Sequence, residues 1–135
     1  MAILTWTDQL SVKVVDIDNQ HKKLIDLINK LHEAMKQGKG KEIIGSVLNE
    51  LIDYTVYHFG KEEKYQLQYE YPNYITHKAE HDKFVKKALD LKKDYESGKM
   101  VISMEVLSFL QDWVREHIQK TDMQYSAHFN EKGLH

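Results

Sequence analysis

Apolar residues recur at steps of three and four in four separate segments of this chain, and that spacing restricts it to amphipathic helices sharing one core. The first stripe is Leu24, Ile25, Ile28, Leu31 and Met35, with His21 on the same face, and it ends at Gln37-Gly38-Lys39-Gly40. The second is Ile44, Val47, Leu48, Leu51, Ile52 and Thr55, and His58 and Glu62 continue it. A proline at Tyr71-Pro72 suits the first turn of a third helix, which carries Tyr74, His77, His81, Phe84, Val85, Ala88 and Leu91 and stops near Ser97-Gly98. The fourth shows Val106, Leu107, Leu110, Trp113, Val114, His117 and Ile118.

These stripes predict helices over about residues 19–37, 42–66, 72–97 and 102–127, with Asp18 and Asn19 as N-caps for the first. Residues 1–17 lack helical periodicity and read as an extended N-terminal arm anchored by Trp6. Short connections between helices make neighbours antiparallel, so the expected fold is all-α, an up-down-up-down four-helix bundle with that arm laid against it. At 135 residues one domain, 1–135, accounts for the whole length. Gly45 and Gly60 each cost a helix about 1 kcal/mol relative to alanine, and Gly60 is expected to mark a close approach of another element.

Composition narrows the chemistry. The net charge is −2 with both signs interspersed, which leaves no basic footprint for nucleic acid. No stretch approaches the ~20 apolar residues of a membrane span, and no basic leader precedes an apolar run, so a cytoplasmic protein is expected. The absence of cysteine excludes disulfides, thiolate zinc sites and iron-sulfur clusters, and leaves histidine and carboxylate as the available metal ligands.

Those ligands lie on the apolar stripes. Residues four apart differ by only about 40° around a helix, so His58 with Glu62, and His77 with His81, each point to one locus. With His21 and His117 on the remaining inward faces, five imidazoles and a carboxylate would be buried, and burying them without a cation leaves costly unpaired groups. Asp122 is the exception: a five-residue step from His117 rotates by about 140° on an ideal helix. Spacing alone leaves it open whether Asp122 faces solvent or is swung inward by a local wide turn, of the kind found at functional sites. If two metals of about six positions each share two bridging carboxylates and one oxide or hydroxide, one metal with three histidines is saturated and the other, with two, keeps an open position.

With Trp6, Asp18-Asn19-Gln20-His21, His58-Phe59-Gly60-Lys61-Glu62-Glu63, His77-Lys78-Ala79-Glu80-His81 and Trp113-Val114-Arg115-Glu116-His117-Ile118 followed by Asp122, nearly the whole chain resembles the hemerythrins, and among them the single-domain bacterial hemerythrins. The resemblance implies two iron ions. His77, His81 and His117 would hold the saturated iron, His21 and His58 the open one, with Glu62, Asp122 and an oxide or hydroxide bridging them. It also implies reversible dioxygen binding at the open iron, for carriage, storage, delivery or sensing, with small anions such as azide as ligand analogues and any oxygen-consuming protein partner unidentified.

An apolar pocket is expected from Phe59, Trp113, Val114 and Ile118, residues that serve equally as packing. Tyr125, one turn beyond Asp122, reads equally as a hydrogen-bond donor to that carboxylate and as an interfacial aromatic. Two positions depart from the family's habit: Gln66 stands where methionine is common, and Val114 where leucine is usual. Both bear on the polarity and tightness of the pocket.

Glu63 and Glu80 read as exposed charges pointing away from the site, His32 as a bundle-end histidine about 16 Å along from His21, and His128 and His135 as solvated tail. Two rival functions remain beside oxygen binding. A di-iron oxidase or peroxidase of the ferritin-like kind would use Glu-x-x-His pairs, which this chain lacks. Iron storage or a zinc-bound structural module is compatible with mixed nitrogen and oxygen ligands. The expectation is a binding protein, not an enzyme.

Overall fold

The computed structural model describes residues 4–98 and 104–135, and all of its regular elements are helical. A short 3-10 turn at Asp8–Leu10 precedes α1 (Val15–Lys36), α2 (Lys41–Gln68), α3 (Tyr74–Glu96) and α4 (Met104–Glu116). A π-helical turn, His117–Asp122, then leads without a break into α5 (Met123–Glu131), so α4, the π turn and α5 form the fourth rod of a four-helix bundle. The expected start of that rod at Ile102 and the place of Val106 on its stripe lie outside the described residues and side chains.

Partner numbers run oppositely along neighbouring helices, which makes each pair antiparallel. Asp16 meets Tyr65 and Lys30 meets Glu50 between α1 and α2; Gly45 meets Tyr95 and Glu63 meets His81 between α2 and α3. Phe84 stacks on Trp113, and His81 faces His117, between α3 and the fourth rod. The turn after α1 works as its glycine suggests. Gly38 adopts φ +68 while Gly38 and Lys39 donate back to the carbonyls of Met35 and Ala34.

Four boundary and contact expectations need correction. The first helix begins at Val15, and Asp18 does not cap it. Its carboxylate instead accepts from the Ser11 hydroxyl and the Val12 N–H, tying the arm to the helix. The third helix starts at Tyr74, because Pro72 sits in the turn before it. His128 is not in a solvated tail: α5 continues to Glu131, Phe129 is fully buried, and His128 Nε2 lies 2.6 Å from the Tyr69 carbonyl, while His135 is exposed as expected. Finally, the close approach is at Gly45, where an added Cβ would stand 3.3 Å from the buried Tyr95 ring, whereas at Gly60 nothing would lie within 4 Å.

Gly60→Ala is therefore expected to raise the thermal midpoint by about 4 °C, from roughly 1 kcal/mol of helix propensity. Gly45→Ala should gain less, because the Tyr95 ring has to give way. Thermal melts of the two variants beside the parent check the order.

Two apolar clusters divide the interior. One contains Leu24, Ile28, Leu31, Leu51, Phe59, Phe84, Leu107 and Ile118; the other contains Val12, Val14, Ile17, Tyr71, Tyr125 and Phe129. His21 falls between Ile17 and Leu24, Asp122 between Ile118 and Tyr125, and His77 and His81 between Tyr71 and Phe84. The titratable residues thus form one layer across the bundle, dry on both sides. Among the described residues no helix is long and apolar enough to cross a membrane.

Candidate metal centre

Each helix delivers its polar side chains to that layer by the register of its own stripe. α2 supplies His58 and Glu62, with Nε2 and Oε1 2.8 Å apart. α3 supplies His77 and His81 one turn apart, their rings 4.5 Å between centroids. α1 supplies His21 and the fourth rod supplies His117. The π turn decides Asp122: its widened winding brings the carboxylate inward, where Oδ1 lies 2.9 Å from His77 Nε2 and 3.0 Å from His117 Nε2, and Oδ2 lies 3.0 Å from His21 Nε2. His81 Nε2 is 3.0 Å from His117 Nε2 and 3.6 Å from Glu62 Oε1.

The donor atoms fall into two groups, each with all atoms within 4.8 Å of one another. Glu62, His77, His81, His117 and Asp122 make one, and His21, His58, Glu62 and Asp122 make the other. All seven residues are buried, Glu62 and Asp122 completely. Both carboxylates belong to both groups.

Despite these short distances, His21 Nε2, His77 Nε2, Glu62 Oε1 and both Asp122 oxygens have no hydrogen-bond partner. Lone-pair atoms crowd together without aligning as donor and acceptor, and orphaned buried polar atoms of this kind are too costly to be mere packing. The donor set fits a pair of cations that accept nitrogen and oxygen.

The electrostatics agree. Burial and the neighbouring Asp122 push the Glu62 carboxyl upward, but the imidazoles of His58 and His81 overcome them and hold it at about 2. Asp122 is likewise pulled well below the usual carboxylate range, burial being outweighed by His117, His21 and His77. Burial lowers His58, favouring the neutral imidazole that a metal needs. His117 moves the other way, because Asp122, Glu62 and Glu80 together outweigh its burial.

A layer of supporting contacts escaped the sequence reading. Gln20 Oε1 lies 2.7 Å from His58 Nδ1, and Glu63 Oε2 lies 3.0 Å from His81 Nδ1. Each acceptor calls for Nδ1–H and leaves Nε2 directed at the layer. Glu63 is thus a partner of His81, only 18 % exposed, and not a free charge. Glu80 is 46 % exposed as expected, yet its carboxylate comes within 3.9 Å of His117 Nδ1. Tyr125 does give a hydrogen bond to a carboxylate, but to Glu62 across the bundle and not to Asp122 on its own rod. Burial, with the nearby charges of Asp122 and Glu62 and to a lesser degree that bond, raises the phenol well above its ordinary range.

Of the pocket residues, Phe59 stacks on His81 with ring centroids 3.7 Å apart and Trp113 on His117 at 4.4 Å. Val114 and Ile118 are buried in the adjoining apolar cluster. Gln66 points inward, fully buried, with neither amide atom hydrogen-bonded. His32 belongs to neither donor group among the described residues.

Fold and site together define a class, an all-α four-helix bundle with a buried histidine and carboxylate metal-binding cluster between two apolar cores. A family model described as the hemerythrin HHE cation binding domain matches residues 12–128. The chain belongs to the hemerythrin family. It is 40 % identical to a bacteriohemerythrin of Methylococcus capsulatus over 93 % of this chain and 95 % of that relative, and 35 % identical to one of Clostridium acetobutylicum over 91 % and 98 %. A crystal structure of wild-type hemerythrin superposes with a TM-score of 0.90 at 38 % identity, covering 93 % of this chain and 97 % of that one.

Proposed function

We propose that the two donor groups hold two iron ions and that the centre binds dioxygen reversibly, for carriage, storage, delivery or sensing. The observation that carries this reading is the sharing of Glu62 and Asp122 between a three-histidine group and a two-histidine group, which leaves the two positions unequally filled. His77, His81 and His117 would hold one ion, His21 and His58 the other, with an oxide or hydroxide beside the two carboxylates. When bound, a ferrous pair supplies the two electrons that reversible dioxygen binding takes.

The chain's own residues do the rest. Gln20 and Glu63 fix two imidazoles in the tautomer that presents Nε2. Tyr125 steadies Glu62 from the far core. Phe59, Trp113, Val114 and Ile118 form apolar walls that exclude water and protons, so that bound dioxygen can leave unchanged and is not consumed. A centre with this role is a binder and not an enzyme, and small anions such as azide would compete for the same position. Metal analysis and visible spectra test it. The purified iron-replete chain should carry two irons, and the nearly colourless reduced protein should gain visible absorption in air and lose it again under argon; one iron, zinc, or irreversible bleaching would reject the reading.

Val114 supports a sharper expectation. It is buried at 5 % exposure where the family usually has leucine, and cores only partly collapse around a lost methylene. Val114→Leu should slow both azide binding and irreversible oxidation of the reduced protein in air, by roughly threefold. Equal or faster oxidation would show that access past position 114 is not the control.

A further inference from the structure

The five imidazoles of the centre are not held equally. Gln20 fixes His58 and Glu63 fixes His81 from behind, whereas His117 has only the Glu80 carboxylate at 3.9 Å. His77 Nδ1 is buried and has no hydrogen-bond partner. His21 Nδ1 shares that condition, but its side chain is wholly enclosed.

His77 differs in what it borders. It forms the inner wall of a cavity of about 260 Å³ between α3 and the π turn, whose other walls include Asn73, Thr76, Glu80, Thr121 and Gln124. These are amide, hydroxyl and carboxylate groups, oxygen donors suited to a hydrated divalent ion. Glu80 also borders an adjoining cavity of about 150 Å³ that reaches His117. One half-exposed carboxylate therefore borders both cavities, one lined by His77 and the other by His117, and Asp122, next in sequence to Thr121, lies 2.9 Å from His77.

We propose that this polar cavity is the port through which ferrous iron reaches the centre, with Glu80 as the capture carboxylate and His77 as the imidazole that turns to receive the ion. The inference rests on the di-iron reading and adds the route by which the site is filled. A buried site needs such a path. His77 has no hydrogen bond behind its ring to break when it turns, whereas His58 and His81 would each break one.

A larger groove of about 450 Å³ lies on the other face, between α2 and α3. Size does not make it the route. Its walls are mainly Val56, Val85 and Leu89 over a floor of Phe59 stacked on His81, and although Glu63 and His81 also border it, that carboxylate and imidazole are already hydrogen-bonded to each other, so a hydrated cation finds mostly apolar surface there. The nearby Asp82 is already engaged by Lys78 at 2.9 Å.

The test follows uptake of ferrous iron by the metal-free chain under argon, quenching with a coloured chelator at successive times. Glu80→Gln should load roughly tenfold more slowly than the parent, since charge at the mouth of a cleft acts on the capture rate, yet reach the same final two irons at saturating ferrous iron, because at 3.9 Å Glu80 makes no hydrogen bond to His117 that the substitution could remove. Added salt should slow the parent and leave Glu80→Gln nearly unchanged. Asp82→Asn, on the other face, should load at the parent rate. Uptake by Glu80→Gln as fast as the parent, a lowered final count in that variant, or equal slowing by Asp82→Asn overturns the port while leaving the di-iron reading intact. A parent that takes up fewer than two irons overturns both.

Discussion

Asp122→Ala will leave the chain with almost no bound iron, a fall from two per chain to below roughly one tenth of that under the same loading conditions. Removal of one supporting residue already costs a metal site about 10- to 100-fold in affinity. Asp122 is closer than that: its two oxygens lie within 3.0 Å of His21, His77 and His117, and it belongs to both donor groups. His77→Ala should cost less, because His77 belongs to one group only, and His32→Ala, outside both groups, should cost nothing measurable. Iron per chain, with circular dichroism to confirm that the variants remain helical, settles the order. Two irons retained by Asp122→Ala would show that the shared carboxylate is not shared.

The second large effect is the loss of stability when metal is removed. A ligand at a thousandfold excess over its Kd contributes about 4 kcal/mol to the folded state, and in a domain of this size that corresponds to a thermal midpoint about 15 °C lower after chelation. Acid should act in the same direction. Glu62, held at about 2, and Asp122, also depressed, contribute stability that is present above the ordinary carboxylate range and lost as pH falls towards their folded values. His58 is lowered by burial, so the unfolded chain takes up a proton below about pH 6.5 that the folded chain refuses, and stability falls there too. His117 has the opposite sign: its contribution is present at low pH and lost as pH rises through its raised folded value. Three of these four groups lose stability on acidification, and protonated ligands release metal as well. Melts from pH 7 to pH 3, with and without chelator, should show midpoints falling together with iron content; a midpoint indifferent to chelation would separate metal binding from folding.

Periodicity made much of this architecture legible, because the apolar stripes and the ligands obey one helical spacing. His58 with Glu62 and His77 with His81 could be paired from their four-residue steps alone. Asp122 could not, since an ideal helix turns it away from His117, and only the π turn observed at His117–Asp122 resolves the alternative. Contacts that cross between helices were the hardest to read. Gln20 and Glu63 stand beside ligands in sequence, but their partners lie on the neighbouring helices, so only the antiparallel register reveals them. The same reason sent Tyr125 to Glu62 in place of Asp122. Polar neighbours concealed α5, where Phe129 packs against Tyr71 and Tyr125 although Asn130, Glu131 and Lys132 follow it. A glycine's helix cost does not say whether another element stands near: nothing approaches Gly60, whereas Gly45 faces Tyr95.

The central claim is that this chain binds dioxygen at two irons without consuming it, and gas uptake measures that directly. Reduced, iron-loaded protein titrated with dioxygen should take up one molecule per pair of irons and return it under argon, over repeated cycles with iron content unchanged. Uptake that is not returned, or that continues past one molecule per pair while a reductant is consumed, would contradict the account and place the chain among the oxidases.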